Sequence, residues 1–151
     1  MRKFLVILDE SRECINAIRF ASLRAANTGG AVQVLAVIPA DQIQHGMGVA
    51  EVMRAEARDR IEEQFQVFAK WMRDRPGIQP ELIIREGDPA AEMLAQIQHD
   101  PEIGVVVLAA STENSGPGPL ISRLMREIGT LSIPVTIVPG DISRERLQAI
   151  T

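Results

Sequence analysis

Residues 82–97 read Leu82-Ile83-Ile84-Arg85-Glu86-Gly87-Asp88-Pro89-Ala90-Ala91-Glu92-Met93-Leu94-Ala95-Gln96-Ile97, and the reading of this stretch decides the fold. An apolar run, Leu82 to Ile84, has the length of a buried strand, whereas Met93, Leu94 and Ile97 recur at the spacing of one helix face. The turn chemistry lies between them. Gly87 allows a tight bend, Asp88 can cap a helix, and Pro89 falls at the first helical position, where its missing N–H costs nothing. A strand that passes straight into a helix is the unit of a parallel sheet, and joints of this kind recur along the chain.

Working outward, residues 3–8 form a continuous apolar strand, as expected where both sheet faces are covered. Ser11 is a natural N-cap for a helix carrying Asn16, Ala17, Ile18, Ala21 and Ala25, which Asn27-Thr28-Gly29-Gly30 stops. Residues 32–38 are the second strand, and residues 40–48 read as a polar loop. The second helix carries Met53, Ala57, Ile61, Phe65, Phe68 and Met72 as one apolar stripe, with Trp71 at its margin and Pro76-Gly77 at its end. Strand three covers 81–85 and helix three about 89–98. Strand four covers 103–109, a second long loop 110–119, and a short helix follows with Leu120, Ile121, Leu124, Met125 and Ile128. Strand five is 134–138, and residues 141–151 are a short helix or tail.

A chain of 151 residues makes one α/β domain, and 46% apolar with 24% charged residues is the balance of an ordinary soluble protein. The net charge of −4 argues against nucleic acid, because phosphate recognition needs clustered Lys and Arg. Arg54, Arg58 and Arg60, interleaved with Glu51, Glu56, Asp59, Glu62 and Glu63, read as a solvated helix face. No stretch reaches the ~18 apolar residues of a membrane span, and the run over residues 1–8 is too short for a signal peptide. The single cysteine, Cys14, excludes an internal disulfide, suits a reducing cytoplasm and reads as a packing residue.

Strict alternation with right-handed crossovers leaves two strand orders, 2-1-3-4-5 and 3-2-1-4-5. Both put a crevice at the carboxyl ends of the strands, beside strand one. The loops facing it contain Asp9-Glu10-Ser11, Val37-Ile38-Pro39 and residues 109–122. Asp9-Glu10 invites comparison with phosphoacceptor receiver domains. That chemistry needs an Asp at the end of strand three and a Lys at the end of strand five. Here those ends read Ile84-Arg85-Glu86 and Val138-Pro139, so it is absent. Ser115-Gly116-Pro117-Gly118-Pro119 precedes a helix, where glycines permit close approach of an anion. A third glycine is missing (Ile121 holds its place), there is no Gly-Lys-Ser/Thr, and two prolines remove N–H donors. The loop reads either as an anion-approach site or as a stiff turn launching the helix. His45, in the loop after strand two, is either a ligand contact or a solvated residue. His99 sits near a helix C-terminus, which suits its partial charge. No nucleophile-base pair or metal-ligand spacing emerges.

Taken together, Leu8-Asp9-Glu10-Ser11, Gly87-Asp88-Pro89, Val105-Val106-Val107-Leu108 and Pro134-Val135 resemble, in order and spacing over residues 2–140, the universal stress protein family. The resemblance selects the order 3-2-1-4-5: a doubly wound, five-stranded parallel sheet with helices on both faces, residues 1–140 forming the domain. It implies a cytoplasmic stress-response protein that forms a homodimer through the last strand, Pro134 to Val138. Pro134 at the start of that strand is consistent with a sheet edge. The nucleotide-binding branch offers ATP or AMP an Asp at the position of Asp9 and backbone at Val37. Its phosphate loop reads Gly, two residues, Gly, nine residues, then Gly-Ser or Gly-Thr.

Aligned back from Pro134, the last pair becomes Ile121-Ser122 and the earlier glycines fall near Ala109 and Thr112. Ser122 therefore matches, and the three glycines are replaced. Gly116 and Gly118 lie inside the nine-residue spacer. The side chains of Thr112 and Ile121 are expected to take space where the family lets backbone approach phosphate. Asp9 remains either a ligand contact or a helix cap. The reading that follows is a regulatory homodimer acting through protein contacts without the full ATP motif. The alternative is an adenine-nucleotide sensor using Asp9, Val37 and Ser122. A slow ATP hydrolase is a third reading, for which the residues show no base.

Overall fold

The computed structural model describes residues 1–43, 47–113 and 116–151. His45 and its two readings lie outside them. The elements run β1 (Lys3–Ile7), α1 (Cys14–Thr28), β2 (Ala31–Ile38), a 3-10 turn at Ala40–Ile43, α2 (Met47–Asp74), β3 (Glu81–Glu86) and α3 (Pro89–His99). After them come β4 (Ile103–Ala109), α4 (Pro119–Arg126), a 3-10 turn at Ile128–Thr130, β5 (Val135–Val138) and α5 (Arg144–Ile150). All strand pairs are parallel and the order is β3-β2-β1-β4-β5, which rules out 2-1-3-4-5.

Alternation along β1 sends its side chains to two cores. Val6 and Leu8 join Ala17, Ile18, Ala21 and Ala25 of α1 and Phe65, Ala69 and Met72 of α2. Leu5 and Ile7 join Met93 and Ile97 of α3 and Ile121 and Leu124 of α4. The small side chains on the α1 face let that helix lie close to the sheet, and Trp71 packs at the margin of this first core. No described helix is long and apolar enough to cross a membrane.

The β3–α3 joint is built as its residues dictate. Gly87 adopts φ +141°, a conformation strained for any side chain, and its would-be Cβ faces the Glu92 carboxylate. Asp88 caps α3 by accepting from the Ala91 N–H at 3.0 Å, with Pro89 in the first turn. Ser11, by contrast, is not an N-cap. Helix α1 begins at Cys14 after Glu13 with no side-chain cap, because Asp9 Oδ1 takes both the Ser11 N–H (2.8 Å) and the Ser11 hydroxyl. The loop expected over 40–48 is also shorter than its composition implies. A 3-10 turn covers Ala40–Ile43 and α2 begins at Met47, with Ile43 and Ala50 packed against Ile38 and Ala57.

Arg54 is not wholly part of a solvated face: its Nε lies 3.0 and 3.1 Å from the Glu86 carboxylate oxygens and ties α2 to the end of β3. From the amino-terminal ends of β1, β2 and β3 a polar network crosses the second core. Lys3 Nζ donates to Asp100 at 2.6 Å, and Gln33 Nε2 donates to both Asp100 (3.0 Å) and Glu81 (2.7 Å). Gln96 donates to Gln33 at 3.1 Å and accepts from Arg85 at 3.2 Å, and Arg85 continues to Glu92 at 2.8 Å. No buried side-chain N or O among the described residues lacks a partner, as a network in low dielectric requires.

Candidate functional site

The strand order reverses between β1 and β4, and the loops after β1, β2 and β4 open around that line. Three cavities of about 330, 350 and 290 Å3 meet there, and Asp9 lines all of them. The first lies between the start of α1 and the loop after β4, with Ala109, Gly118 and Ile121 among its walls. Val37 lines the second, with Pro89 and Arg123, and the third, with Pro39 and Arg60. Of the residues singled out in the sequence, Asp9, Val37, Ala109 and Gly118 are thus brought together. Thr112, Gly116 and Ser122 line none of the three. Ser122 is exposed on α4, and its N–H is spent on the Gly118 carbonyl at 3.0 Å.

Asp9 stands at the end of β1 with Oδ1 engaged by Ser11, and its second carboxylate oxygen has no partner among the described residues. It is therefore an available acceptor. The surrounding charge is one-sided: Asp9, Glu10, Glu13 and Glu113 line the first cavity against Arg12. Arg12 and Glu113 form an exposed pair at 3.6 Å across its mouth. Cys14, at the base of this cavity, is buried, and desolvation pushes its thiol up to about 11, the state of an inert packing cysteine.

The loop after β4 closes on itself. The Ser111 N–H donates to the Pro117 carbonyl at 2.9 Å and the Ala110 N–H to the Val138 carbonyl at 2.9 Å. Pro117 and Pro119 have no N–H to offer. Gly118, at φ +103°, turns the chain into α4. Four carboxylates stand near this wall, and a polyanion brought against them would be held chiefly by Arg12 and by the first-turn amides of α4. Ile121, whose side chain is expected to take space where phosphate approaches, stands in the wall of the first cavity. It is 3% exposed and held in the second core beside Leu124. Thr112 lies instead against Gly140, its Cγ2 at 3.1 Å from where a Cβ would stand. Gly140 was missed in the sequence. It lies just past β5, after Pro139, its carbonyl accepts from Asn16 Nδ2 at 2.8 Å, and so it ties α1 to the rim of the site.

Sheet order, crossovers and crevice define a doubly wound α/β protein with a ligand-sized opening at its switch point. The sequence profile described as "Universal stress protein family" matches residues 1–139, and the chain belongs to that family. Among solved structures it is similar to universal stress protein UspA from Lactobacillus plantarum, at 19% identity and TM-score 0.75, covering 91% of this chain and 97% of that one. It is also similar to the universal stress protein from Archaeoglobus fulgidus in complex with dAMP, at 15% identity and TM-score 0.63, covering 91% and 98%. A universal stress protein in complex with cAMP aligns at 15% identity and TM-score 0.54, covering 93% and 98%. No curated protein matches the sequence.

Proposed function

We propose that this protein is a cytoplasmic stress-response regulator that works as a homodimer through protein contacts, without an ATP-type phosphate cradle. The observation that carries this reading is the first cavity, where four carboxylates face one guanidinium beside a loop whose Ala110 and Ser111 amides are used and whose two prolines offer none. The dimer contact assigned to it is β5. That strand is the sheet edge beyond β4, with Ile137 41% exposed, and an apolar edge left open is an aggregation hazard. Sedimentation at micromolar concentration should give a dimer that Ile137→Lys converts to monomer. A monomeric wild type overturns the dimer.

A second reading is favoured by Asp9 and Val37. An adenine nucleoside monophosphate, the ligand class in the dAMP and cAMP complexes of the related structures, needs an acceptor and an apolar wall but only one phosphate. Calorimetric titration with ATP and with AMP, with and without magnesium, separates the two. The first reading expects no saturation by either nucleotide up to millimolar concentration. Saturation by AMP alone, weakened in Asp9→Ala, establishes the second. ATP binding tighter than ~10 μM, about −7 kcal/mol, that weakens in Ser122→Ala overturns the first reading and establishes a nucleotide sensor with a phosphate site.

A further inference from the structure

We propose that the cavity enclosed by α5, α1 and the end of α2 is a second binding site, for a small organic anion carrying a flat apolar group. The cavity measures about 350 Å3, within the range of small-molecule pockets, and shares no lining residue with the crevice. Three guanidiniums line it, Arg19, Arg75 and Arg144, and its apolar surface comes from Trp71, Leu23 and Leu147.

The three arginines, Arg19 half-buried and Arg75 and Arg144 exposed, differ from the basic groups that the chain neutralises internally. Lys3, Arg54, Arg85 and Arg123 each have a carboxylate partner. Arg19, Arg75 and Arg144 have no side-chain hydrogen bond and no ion pair among the described residues. Asp74 and Glu145, their neighbours in sequence, pair with none of them. Burial and the nearby Arg144 guanidinium lower the pKa of Arg19, as expected where cations converge without a counter-charge. Guanidinium forks at the edge of an apolar recess are a fit for a carboxylate, sulfonate or phosphate, and Trp71 and Leu147 for the body behind it.

The site is also held open by construction. Arg144 and Leu147 come from the segment beyond the family-matched residues 1–139. Ser143 caps α5 by accepting from the Arg146 N–H at 3.1 Å, and Leu147 is buried at 1% exposure. The Thr151 carbonyl accepts from Arg24 (3.2 Å) and Asn27 (2.9 Å) of α1. A helix fixed at three points presents Arg144 to Arg19 without a large ordering cost on binding.

The test uses the full chain and 8-anilinonaphthalene-1-sulfonate, an aromatic anion whose binding is read by energy transfer from Trp71, the sole tryptophan. Saturable binding is expected, with the uncharged analogue N-phenyl-1-naphthylamine weaker by about tenfold or more, the usual worth of a charge-assisted hydrogen bond. The Arg19→Gln/Arg144→Gln variant should lose at least as much while keeping the wild-type circular dichroism. Should it not fold, Arg75→Gln alone and the wild-type comparison of charged and uncharged dyes carry the same decision. Equal affinity for the two dyes, an unchanged affinity in the folded arginine variants, or no binding overturns the proposal.

Discussion

Replacing Asp100 by alanine probes the polar network that joins β1, β2 and α3. Its carboxylate accepts from Lys3 Nζ at 2.6 Å, Gln33 Nε2 at 3.0 Å and the Glu102 N–H at 3.0 Å, and its side chain is only 14% exposed. One charge-assisted bond contributes roughly 1.5–3 kcal/mol and each neutral bond roughly 0.5–1.5. Glu81 remains as a partner for both Lys3 (3.2 Å) and Gln33 (2.7 Å), which offsets part of the loss. The expected cost is about 2–4 kcal/mol, a fall in Tm of roughly 4–16 °C for a domain of this size. Its pH dependence follows from the two shifted groups. The hydrogen bond from Lys3 is the main cause holding Asp100 below its ordinary 3.8, so its contribution is present above that value and lost as pH falls through the folded pKa. Lys3 is raised above 10.5, chiefly by Asp100, so its contribution is present below 10.5 and lost as pH rises through the folded pKa. Calorimetric melts of wild type and Asp100→Ala should therefore differ by a constant amount between about pH 5 and 9 and converge in acid. A difference under about 1 °C at neutral pH, or one undiminished at about pH 2, refutes the reasoning.

Gly140→Ala places a Cβ onto the Ala110 carbonyl oxygen and against Glu13 and Thr112; the backbone must yield, at about 1–3 kcal/mol, read as a lower urea midpoint. An unchanged midpoint would mean that the three segments are not pressed together. Asp88→Ala removes the α3 cap and the 3.3 Å contact to Arg123, costing about 1 kcal/mol, whereas Asp88→Asn should stay close to wild type. Equal melts for the two variants would sink the capping argument. Cys14, buried with its thiol near 11, should resist Ellman's reagent at about pH 8 until the chain is unfolded in guanidinium. Rapid stoichiometric reaction of the native protein would contradict its burial.

The fold was legible where local chemistry and tertiary packing agree. At Gly87-Asp88-Pro89 each residue does in the structure what it favours in isolation, and the apolar runs, buried on both faces, could only be strands of a covered parallel sheet. Ser11 was misread because two acceptors competed for one segment, and the Asp9 carboxylate won the Ser11 N–H before a helix cap could form. Residues 40–48 look polar, but Ile43 and Ala50 cluster with Ile38 at the end of β2 and Ala57 of α2, a convergence that only the folded chain brings about. Gln33 inside the otherwise apolar β2 was the readable signal of the buried network. A polar side chain at 1% exposure in the middle of a sheet must have partners, and its partners lie 48 and 67 residues away. At the crevice, the positions of Asp9 and Val37 were legible because strand ends fix where the crevice opens. Thr112 and Ser122 lie outside the cavity linings because family register fixes a position in sequence, not the direction of a side chain on a self-closed loop.

The reversal between β1 and β4 also dictates the order in which the sheet can assemble. Lys3 pairs with Ala31 and with Ile103, closures spanning 28 and 100 residues, while Val106 pairs with Val135 across 29. The longer closure costs about 1 kcal/mol more in chain entropy than either short one. That difference favours an order in which two local pieces, β1-β2-β3 and β4-β5, form before they join along β1–β4. Lower φ-values at Leu5 and Val106 than at Val34 would report it. Asp9 and Ala109 close that seam from opposite sides. A ligand held between them would act as a stitch across the latest-formed join, and its signature would be slower unfolding with the folding rate unchanged.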